Sequence, residues 1–290
     1  MTIKSNIFQH LQDNPDDIYL IAEIGINHNG DIGIAKKLID ASHACGWNCV
    51  KFQKRNPDVC VPEDQKYIKR DTPWGEMTYI DYKYKVEFQE DEYNEIDRYC
   101  KEKPILWTTS VWDLDSLKFM SDYQVPFLKI PSAHLNNLSL IEECAQTGVP
   151  IILSSGMSDW KMIEDAINTL EKRGADYALL HCNSTYPAPH NELNLNVILE
   201  MKDRFDCIIG YSGHEYDLSP SSVAVTLGAK IIERHVTLDH KMWGTDQSAS
   251  LEVHAMDLLR KRLVDIRIML GNREKFITES EKKIIKKLRG

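Results

Sequence analysis

Eight short apolar runs recur along this chain at near-even spacing, and nearly every one ends in polar or reactive residues. They read LIAEIGINH (20–28), CVKFQKR (49–55), PILWTTS (104–110), FLKIPSA (127–133), PIILSSG (150–156), YALLHCNS (177–184), CIIGYSGH (207–214) and KIIERHVT (230–237). The segments between them carry helical spacing. A strand–helix unit repeated eight times is the pattern of a closed (β/α)8 barrel, a TIM barrel of the α/β class, whose active site lies at the C-terminal ends of the strands. The residues delivered to that face are Glu23, Lys51, Gln53, Thr108, Lys129, Ser132, Ser154, Asn183, Ser212, His214 and His235.

A length of 290 residues suits one barrel with little left over. The expected division is an N-terminal extension over 1–17, the barrel over 18–271 and a polar, basic tail over 272–290. The net charge of −9 argues against nucleic acid or an acidic membrane surface as partner, so an anionic ligand must be held by local cations. No run approaches the roughly 20 apolar residues of a membrane span, and residues 1–17 lack the apolar centre of a secretion signal. The seven cysteines contain no C-x-x-C pair and read as reduced thiols, which places the chain in the cytoplasm.

Helices are expected near 33–45, 86–102, 113–123, 138–147, 158–173, 193–204, 219–227 and 254–270. In the first, Ile34, Leu38, Ala41 and Cys45 form the inward stripe. Residues 56–85 form the one long irregular stretch. A loop of that length in a compact domain is usually functional, and 72–85, with Tyr79, Tyr82 and Tyr84, is the candidate lid.

Lys51 and Lys129 each interrupt an apolar strand. A buried ammonium needs a partner, which is either a glutamate or an anionic ligand; two on one face, near hydroxyls, favour a ligand clamp. Thr108, Ser132, Ser154, Ser212 and Asn183 can hydrogen-bond phosphate and carboxylate oxygens, although each alone is ordinary for a strand-to-helix loop. His214 and His235 end neighbouring strands. Two neutral imidazoles suit a divalent metal with an open shell, Mn²⁺ fitting better than a closed zinc site, with Mg²⁺ and Co²⁺ as alternatives. Glu23 and Asp246 are carboxylates at the mouth, for acid–base work or for hydroxyl binding; the plainer role for Glu23 is a pair with Lys51.

The stretches IAEIGINHNGD (21–31), VKFQ (50–53), LKIPSA (128–133), LSSGM (153–157), LHCNSTYP (180–187), IGYSGHE (209–215), IERHVTLD (232–239) and GTDQSAS (244–250) together resemble the sialic acid synthase family. That family condenses phosphoenolpyruvate with an acyl-amino sugar to make nonulosonic acids. The resemblance implies that Lys51, Thr108, Lys129, Ser132, Ser154, Asn183 and Ser212 hold phosphoenolpyruvate, and that His214 and His235 hold Mn²⁺. It further implies that Glu23, Gln53, Tyr186 and Asp246 surround the acceptor sugar and the reacting centre. Phosphoenolpyruvate and an aldose are the expected ligands, and a homo-oligomer, a dimer, the expected assembly. Two departures concern the acceptor. Position 134 is His where members using N-acetylmannosamine carry a glutamate, and the antifreeze-like C-terminal domain usual in the family is expected to be missing after Gly290. Both point to an aldose without the usual N-acetyl group. Competing expectations are an octulosonate 8-phosphate type synthase, with Lys54 and Arg55 as extra cations, and a non-catalytic sugar-binding barrel. A metal-dependent hydrolase is disfavoured because strand 1 ends in a single histidine, His28.

Overall fold

Strands whose residues are apolar on both faces must be covered on both, and a parallel barrel inside a ring of helices does this. The computed structural model describes residues 7–272 and 274–289 and contains such a barrel. Its strands are β1 (Tyr19–Gly25), β2 (Cys49–Lys54), β3 (Leu106–Val111), β4 (Leu128–Ile130), β5 (Ile151–Ser154), β6 (Tyr177–Cys182), β7 (Ile208–Gly213) and β8 (Ile231–Thr237). Each pairs in parallel with the next, and β8 closes on β1 with Glu23 opposite His235. The expected TIM barrel is therefore the observed one.

Side chains alternate across each strand. Outward residues such as Leu20, Ile24, Val50, Phe52, Leu153 and Ile232 pack against the helices in the main core. The inward set changes character along the barrel axis. Tyr19, Ile21, Cys49, Phe127, Ile152, Ala178, Leu180 and Ile231 form an apolar lower plug. One layer higher, at the same parity, stand Glu23, Lys51, Lys129, Ser154, Ser212 and Glu233, all buried. The apolar layers seal one end, so polar chemistry is confined to the other.

The N-terminal segment is part of that seal. A helix at Ile7–Asp13 places Ile7, Phe8 and Leu11 against the lower plug. The apolar face of this N-terminal extension closes the barrel bottom. The spacing Ile7, Phe8, Leu11 is too short a pattern to signal this without the barrel above it.

Other boundaries moved for identifiable reasons. The helix expected over 86–102 begins at Glu90, capped by Gln89 and Glu92. The preceding residues turn inward, because the buried Lys54 Nζ takes the Phe88 carbonyl at 2.8 Å and lies 3.2 Å from Glu87 Oε1. Asp159, not Ser158, caps Trp160–Lys172, accepting from Met162 N–H at 2.9 Å. In Ile32–Ala44 the buried face is Ala35, Leu38, Ile39 and Ser42, where small residues let the helix lie close to the strands. The stretch 56–85 is ordered. It holds a short helix Pro57–Cys60, a hairpin of Lys69–Thr72 with Gly75–Thr78, and a helix Tyr79–Val86. Tyr79 and Tyr82 stack, Tyr82 meets Trp243 edge-on, and Tyr84 donates to Asp58 at 2.6 Å. The tail forms a helix at Glu279–Arg289, the seven cysteines are free thiols, and no described helix is long and apolar enough to cross a membrane.

Two expectations concern stability. Ile7→Ala removes buried methyl groups from the seal and should cost about 2–4 kcal/mol in urea unfolding, while leaving the site at the opposite end intact. His28 is buried, its ring stacked on Phe88 at 3.9 Å, its Nδ1 accepting from Gly30 N–H at 3.1 Å. Burial holds it neutral, down at about 3. The unfolded chain binds that proton near the ordinary value of about 6.5 and the folded chain refuses it, so stability falls as pH drops from there toward 3. Urea midpoints of His28→Phe across that window should fall less steeply, by up to about 1.4 kcal/mol per pH unit.

Candidate active site

The upper interior layer converges on one pocket. Lys51 Nζ lies 2.5 Å from Glu23 Oε2, donates to Ser110 Oγ at 2.8 Å, and stands 3.8 Å from Glu233 Oε2. Lys129 Nζ donates to Ser154 Oγ at 2.7 Å and to the Ile130 carbonyl at 3.2 Å, with Glu233 Oε1 3.9 Å away. Ser212 donates to that same Glu233 oxygen at 3.0 Å. Both lysines are thus within reach of a carboxylate, but only Glu23 is in direct contact. Glu233 sits between the two ammonium groups, and its Oε2 has no hydrogen-bond partner.

Environment sets these carboxylates apart. Burial raises Glu23, Lys51 opposes that, and the nearby Glu233 adds to it, leaving Glu23 above the usual carboxylate range. Burial acts on Glu233 in the same sense, but Lys129 and Lys51 outweigh it and hold Glu233 low. Burial pulls Lys129 below the usual ammonium range, while Glu23 and Glu233 overcome burial and raise Lys51. One carboxylate is suited to carry a proton and the other to stay charged.

The floor beside Lys129 is formed by Ser132, Ser154 and Ser184 around Gly156, whose N–H donates to Ser132 Oγ at 3.0 Å. A Cβ at Gly156 would collide with the Ser132 and Ser184 hydroxyls, so glycine keeps this corner open. At the rim of β1, Gly25 adopts φ +54°, and a side chain there would press on Gln53, Glu23 and His235. Gln53 donates to Glu23 Oε1 at 2.8 Å, fixing that carboxylate from the side opposite Lys51.

On the other rim, the His214 and His235 ring centres are 5.4 Å apart, and Tyr186 covers both, 4.0 Å from the first and 5.5 Å from the second. His214 Nδ1 is 2.6 Å from the Asn183 carbonyl, which fixes its tautomer and leaves Nε2 facing the Tyr186 hydroxyl at 2.8 Å. His235 Nδ1 is buried without a hydrogen bond, 3.8 Å from Asp246 Oδ2. Burial holds His235 neutral at about 3. Cys182 Sγ lies 3.9 Å from His214 Nδ1; burial acts against both charged forms, yet the pair holds the thiol low and the imidazole high. An orphaned imidazole nitrogen beside a second imidazole oriented by a backbone carbonyl fits a divalent metal. Among the described residues no group of three or more His, Cys, Asp or Glu forms a ready cage, so the fit is to an open ion and not to a closed structural zinc site.

Most of the residues expected at the mouth line this pocket: Glu23, Lys51, Gln53, Lys129, Ser132, Ser154, Tyr186, Ser212, His214 and His235. Three do not. Thr108 is fully buried one layer down and donates to the Phe127 carbonyl; Ser110, two residues on and of the same parity, takes the place at the rim. The Asn183 side chain is spent on its own loop, accepting from Thr185 N–H at 2.9 Å and donating to the Glu192 carbonyl at 3.1 Å, so Asn183 acts through its main chain. His134 stands off the pocket, edge-on to Trp112 at 5.2 Å. Asp246 lines an adjoining cavity. Sequence reasoning missed Glu233, Ser110, Cys182 and Ser184. Glu233 was discoverable: it lies two residues before His235, on the inward parity of β8.

Outside the barrel, Arg234 is fully buried. Its Nη1 lies 2.9 Å from Glu215 Oε1 and donates to Ser221 Oγ and the Asp217 carbonyl, each at 3.0 Å; Tyr211 donates to Glu215 Oε2 at 2.8 Å. Glu215 follows His214 and Arg234 precedes His235, so one ion pair ties together the backbone carrying both imidazoles.

A barrel with an anion-sized pocket between two lysines and an imidazole pair at its C-terminal mouth is a TIM-barrel enzyme. The NeuB family's sequence profile matches residues 38–275, and the chain belongs to the NeuB family. It is 38% identical over 280 residues to the N-acetylneuraminate-9-phosphate synthase of Drosophila melanogaster, covering 95% of this chain and 73% of that protein. It is 36% identical to the N,N'-diacetyllegionaminic acid synthase of Campylobacter jejuni, covering 92% and 81%. The crystal structure of an N-acetylneuraminic acid (sialic acid) synthetase from Leptospira borgpetersenii, in complex with citrate, superposes with a TM-score of 0.84 at 30% identity, covering 94% of this chain and 92% of that one.

Glu215→Ala should leave the Arg234 guanidinium buried and unpaired, at a cost of about 3–5 kcal/mol. The paired exchange Glu215→Leu with Arg234→Met should recover most of that loss in thermal or urea unfolding; a double variant as unstable as the single would show that the pair is not the source.

Proposed function

We propose that this chain condenses phosphoenolpyruvate with an aldose to give a 3-deoxy-2-ulosonic acid of the sialic-acid type and inorganic phosphate. The observation that carries this reading is the convergence of two buried ammonium groups and two imidazoles on one rim. That arrangement suits a small, highly charged enol phosphate set beside an aldehyde. In the balance of the reaction, C3 of the enol forms a bond to the aldehyde carbon, a proton reaches the former aldehyde oxygen, water adds at C2, and the C2–O bond to phosphate breaks.

Each residue has a stated task. Lys51 and Lys129 oppose the carboxylate and phosphate charges of the donor, and Ser110, Ser132, Ser154 and Ser212 orient its oxygens. Glu233 keeps the lysines charged before the donor arrives, its distance from both leaving room for a second set of negative oxygens. Glu23, raised by burial and held between Lys51 and Gln53, exchanges the proton at the aldehyde oxygen. His214 and His235 would hold a divalent ion, Mn²⁺ in the first instance, and when bound it supplies Lewis-acid polarisation of the aldehyde. Tyr186 bridges the two imidazoles and the adjoining cavity, and orients the acceptor.

Incubation with phosphoenolpyruvate, Mn²⁺ and a panel of aldoses should release phosphate and yield a keto acid whose mass is that of the joined substrates less phosphate, plus water. His214→Ala and His235→Ala should each lower turnover by at least about 100-fold and weaken Mn²⁺ binding measured by titration. Ser110→Ala should raise KM for phosphoenolpyruvate by about 10-fold through loss of a charge-assisted contact, whereas Thr108→Val should leave that KM near the parent value. Equal effects at the two positions would contradict the pocket as placed.

A further inference from the structure

Two stretches of the sequence carry polar residues that the reaction as described leaves idle. Asn27 and Asn29 lie in the turn after β1, and Gln247 and Ser250 lie in the loop between β8 and the helix Val253–Leu270. Gln247 and Asn27 are 220 residues apart, and the Gln247 side chain crosses that gap. Its Nε2 donates to the Asn27 carbonyl at 3.2 Å and to the Trp243 carbonyl at 3.3 Å, while its Oε1 accepts from the Thr237 hydroxyl. Asn27 Nδ2 donates in turn to the Val236 carbonyl at 2.9 Å and to Ser250 Oγ at 2.8 Å. Ser250 passes the contact on, donating to the Asp246 carbonyl at 2.7 Å. From the outer side, Asn29 Nδ2 donates to the same Trp243 carbonyl at 2.8 Å. Asn27, Thr237, Gln247 and Ser250 are all buried.

The loop over 238–250 has little regular structure to hold it. It contains one short turn of 3-10 helix, Gln247–Ala249, and Gly244 stands at φ +143°. Main-chain carbonyls turned inward in such a segment need donors. Here side-chain amides and a hydroxyl supply them, in surroundings where a lost partner is costly. The placement of Asp246 is the result. Its carbonyl is held by Ser250, and its neighbour Gln247 is tied to both β1 and β8. Its Oδ2 then lies 3.8 Å from His235 Nδ1, a nitrogen with no hydrogen bond among the described residues. That distance is just beyond a hydrogen bond, so a small movement of the loop decides whether one forms. The Trp243 ring, whose carbonyl the clamp holds, meets Tyr82 edge-on at 5.1 Å and Trp74 at 5.8 Å. The excursion over 56–86 therefore leans on the same loop.

A carboxylate behind an imidazole orients the ring and strengthens it as a ligand. We propose that Gln247 is a positioning residue for His235: with Asn27 it clamps the loop after β8 to the end of β1, and so keeps Asp246 behind the imidazole. This rests on the condensation reading above, in which His235 would hold the divalent ion, and it adds a residue that acts through another. The clamp has a consequence besides stability. Lys51 and Lys129 stand on β2 and β4, away from the loop, so donor binding should not feel the clamp, whereas ion binding and turnover should.

Gln247→Met keeps the side-chain volume and removes all three hydrogen bonds. In calorimetric titration of the full chain, Mn²⁺ should bind this variant about 10- to 100-fold more weakly than the parent. With Mn²⁺ saturating, kcat should fall by about 10-fold while KM for phosphoenolpyruvate stays near the parent value. A purely structural role would lower the melting temperature and leave the Mn²⁺ affinity of the folded protein as it was; that result would overturn the proposal. So would a loss confined to KM for phosphoenolpyruvate. Asn29→Gly removes one donor from the Trp243 carbonyl without straining a residue at φ +52°, and should weaken Mn²⁺ binding by about 3-fold. Should Gln247→Met fail to fold, Asn29→Gly decides, and parent-like Mn²⁺ affinity there would overturn the proposal. Mn²⁺ binding weakened by Gln247→Met, in a protein that consumes no phosphoenolpyruvate with any aldose, would support the clamp while defeating the condensation reading. Turnover of phosphoenolpyruvate by the parent, with Mn²⁺ affinity unmoved in Gln247→Met, would do the reverse.

Discussion

Four charges share the last interior layer of the barrel, and much of the rest of the structure depends on how they are balanced. Lys51 is in direct contact with Glu23, and Glu233 stands between Lys51 and Lys129 at 3.8 and 3.9 Å. Removing one member would leave an uncompensated charge in a site with almost no exposed surface, a cost of about 3–5 kcal/mol. Together the four are tolerable, because each ammonium sees carboxylate and hydroxyl oxygen. The balance is also unequal. Glu23 contacts Lys51 directly and accepts a hydrogen bond from Gln53, while Glu233 attracts both lysines without hydrogen-bonding to either. That inequality raises one acid, lowers the other, and leaves the lysines able to accept a further anion.

The layers beneath make this possible. The apolar plug formed by Ile21, Phe127, Ile152, Leu180, Ile231 and the helix Ile7–Asp13 closes the barrel bottom. Water thus reaches the charged layer from the mouth alone, where a ligand also enters. Low local polarity strengthens every interaction in that layer and penalises any group left unpaired. The same rule operates on the outer wall, where Arg234 and Glu215 are paired and hydrogen-bonded in full burial. It operates in the opposite sense at Lys83, a nearly buried cation that has no ion pair or hydrogen bond among the described residues.

Much of the site was legible because barrel geometry converts a one-dimensional pattern into a place. Once eight apolar runs are read as strands, their polar ends must meet, and nine of the eleven residues named from those ends line the pocket. The misses have separate causes. Thr108 and Ser110 have the same parity on the same strand, and only the tilt of β3 decides which reaches the rim. Asn183 is at the rim, but its side chain is used by the neighbouring turn, a local competition that residue type does not reveal. Glu233 was overlooked beside the more conspicuous His235, although alternation along β8 turns both inward. The excursion over 56–86 looked irregular because its hairpin and two short helices are each too brief to show a period.

The sequence by itself determined the barrel, the order of its strands and the face on which lysines and histidines gather, because these follow from period-two alternation, apolar runs and strand count. It also determined the family to which the chain belongs. Tertiary structure alone decided which carboxylate contacts which lysine, that the first helix seals the barrel bottom, and that Arg55 and Lys83 share a cavity. Those outcomes depend on strand tilt, side-chain reach and the filling of space between segments far apart in the chain. No local pattern encodes such distances.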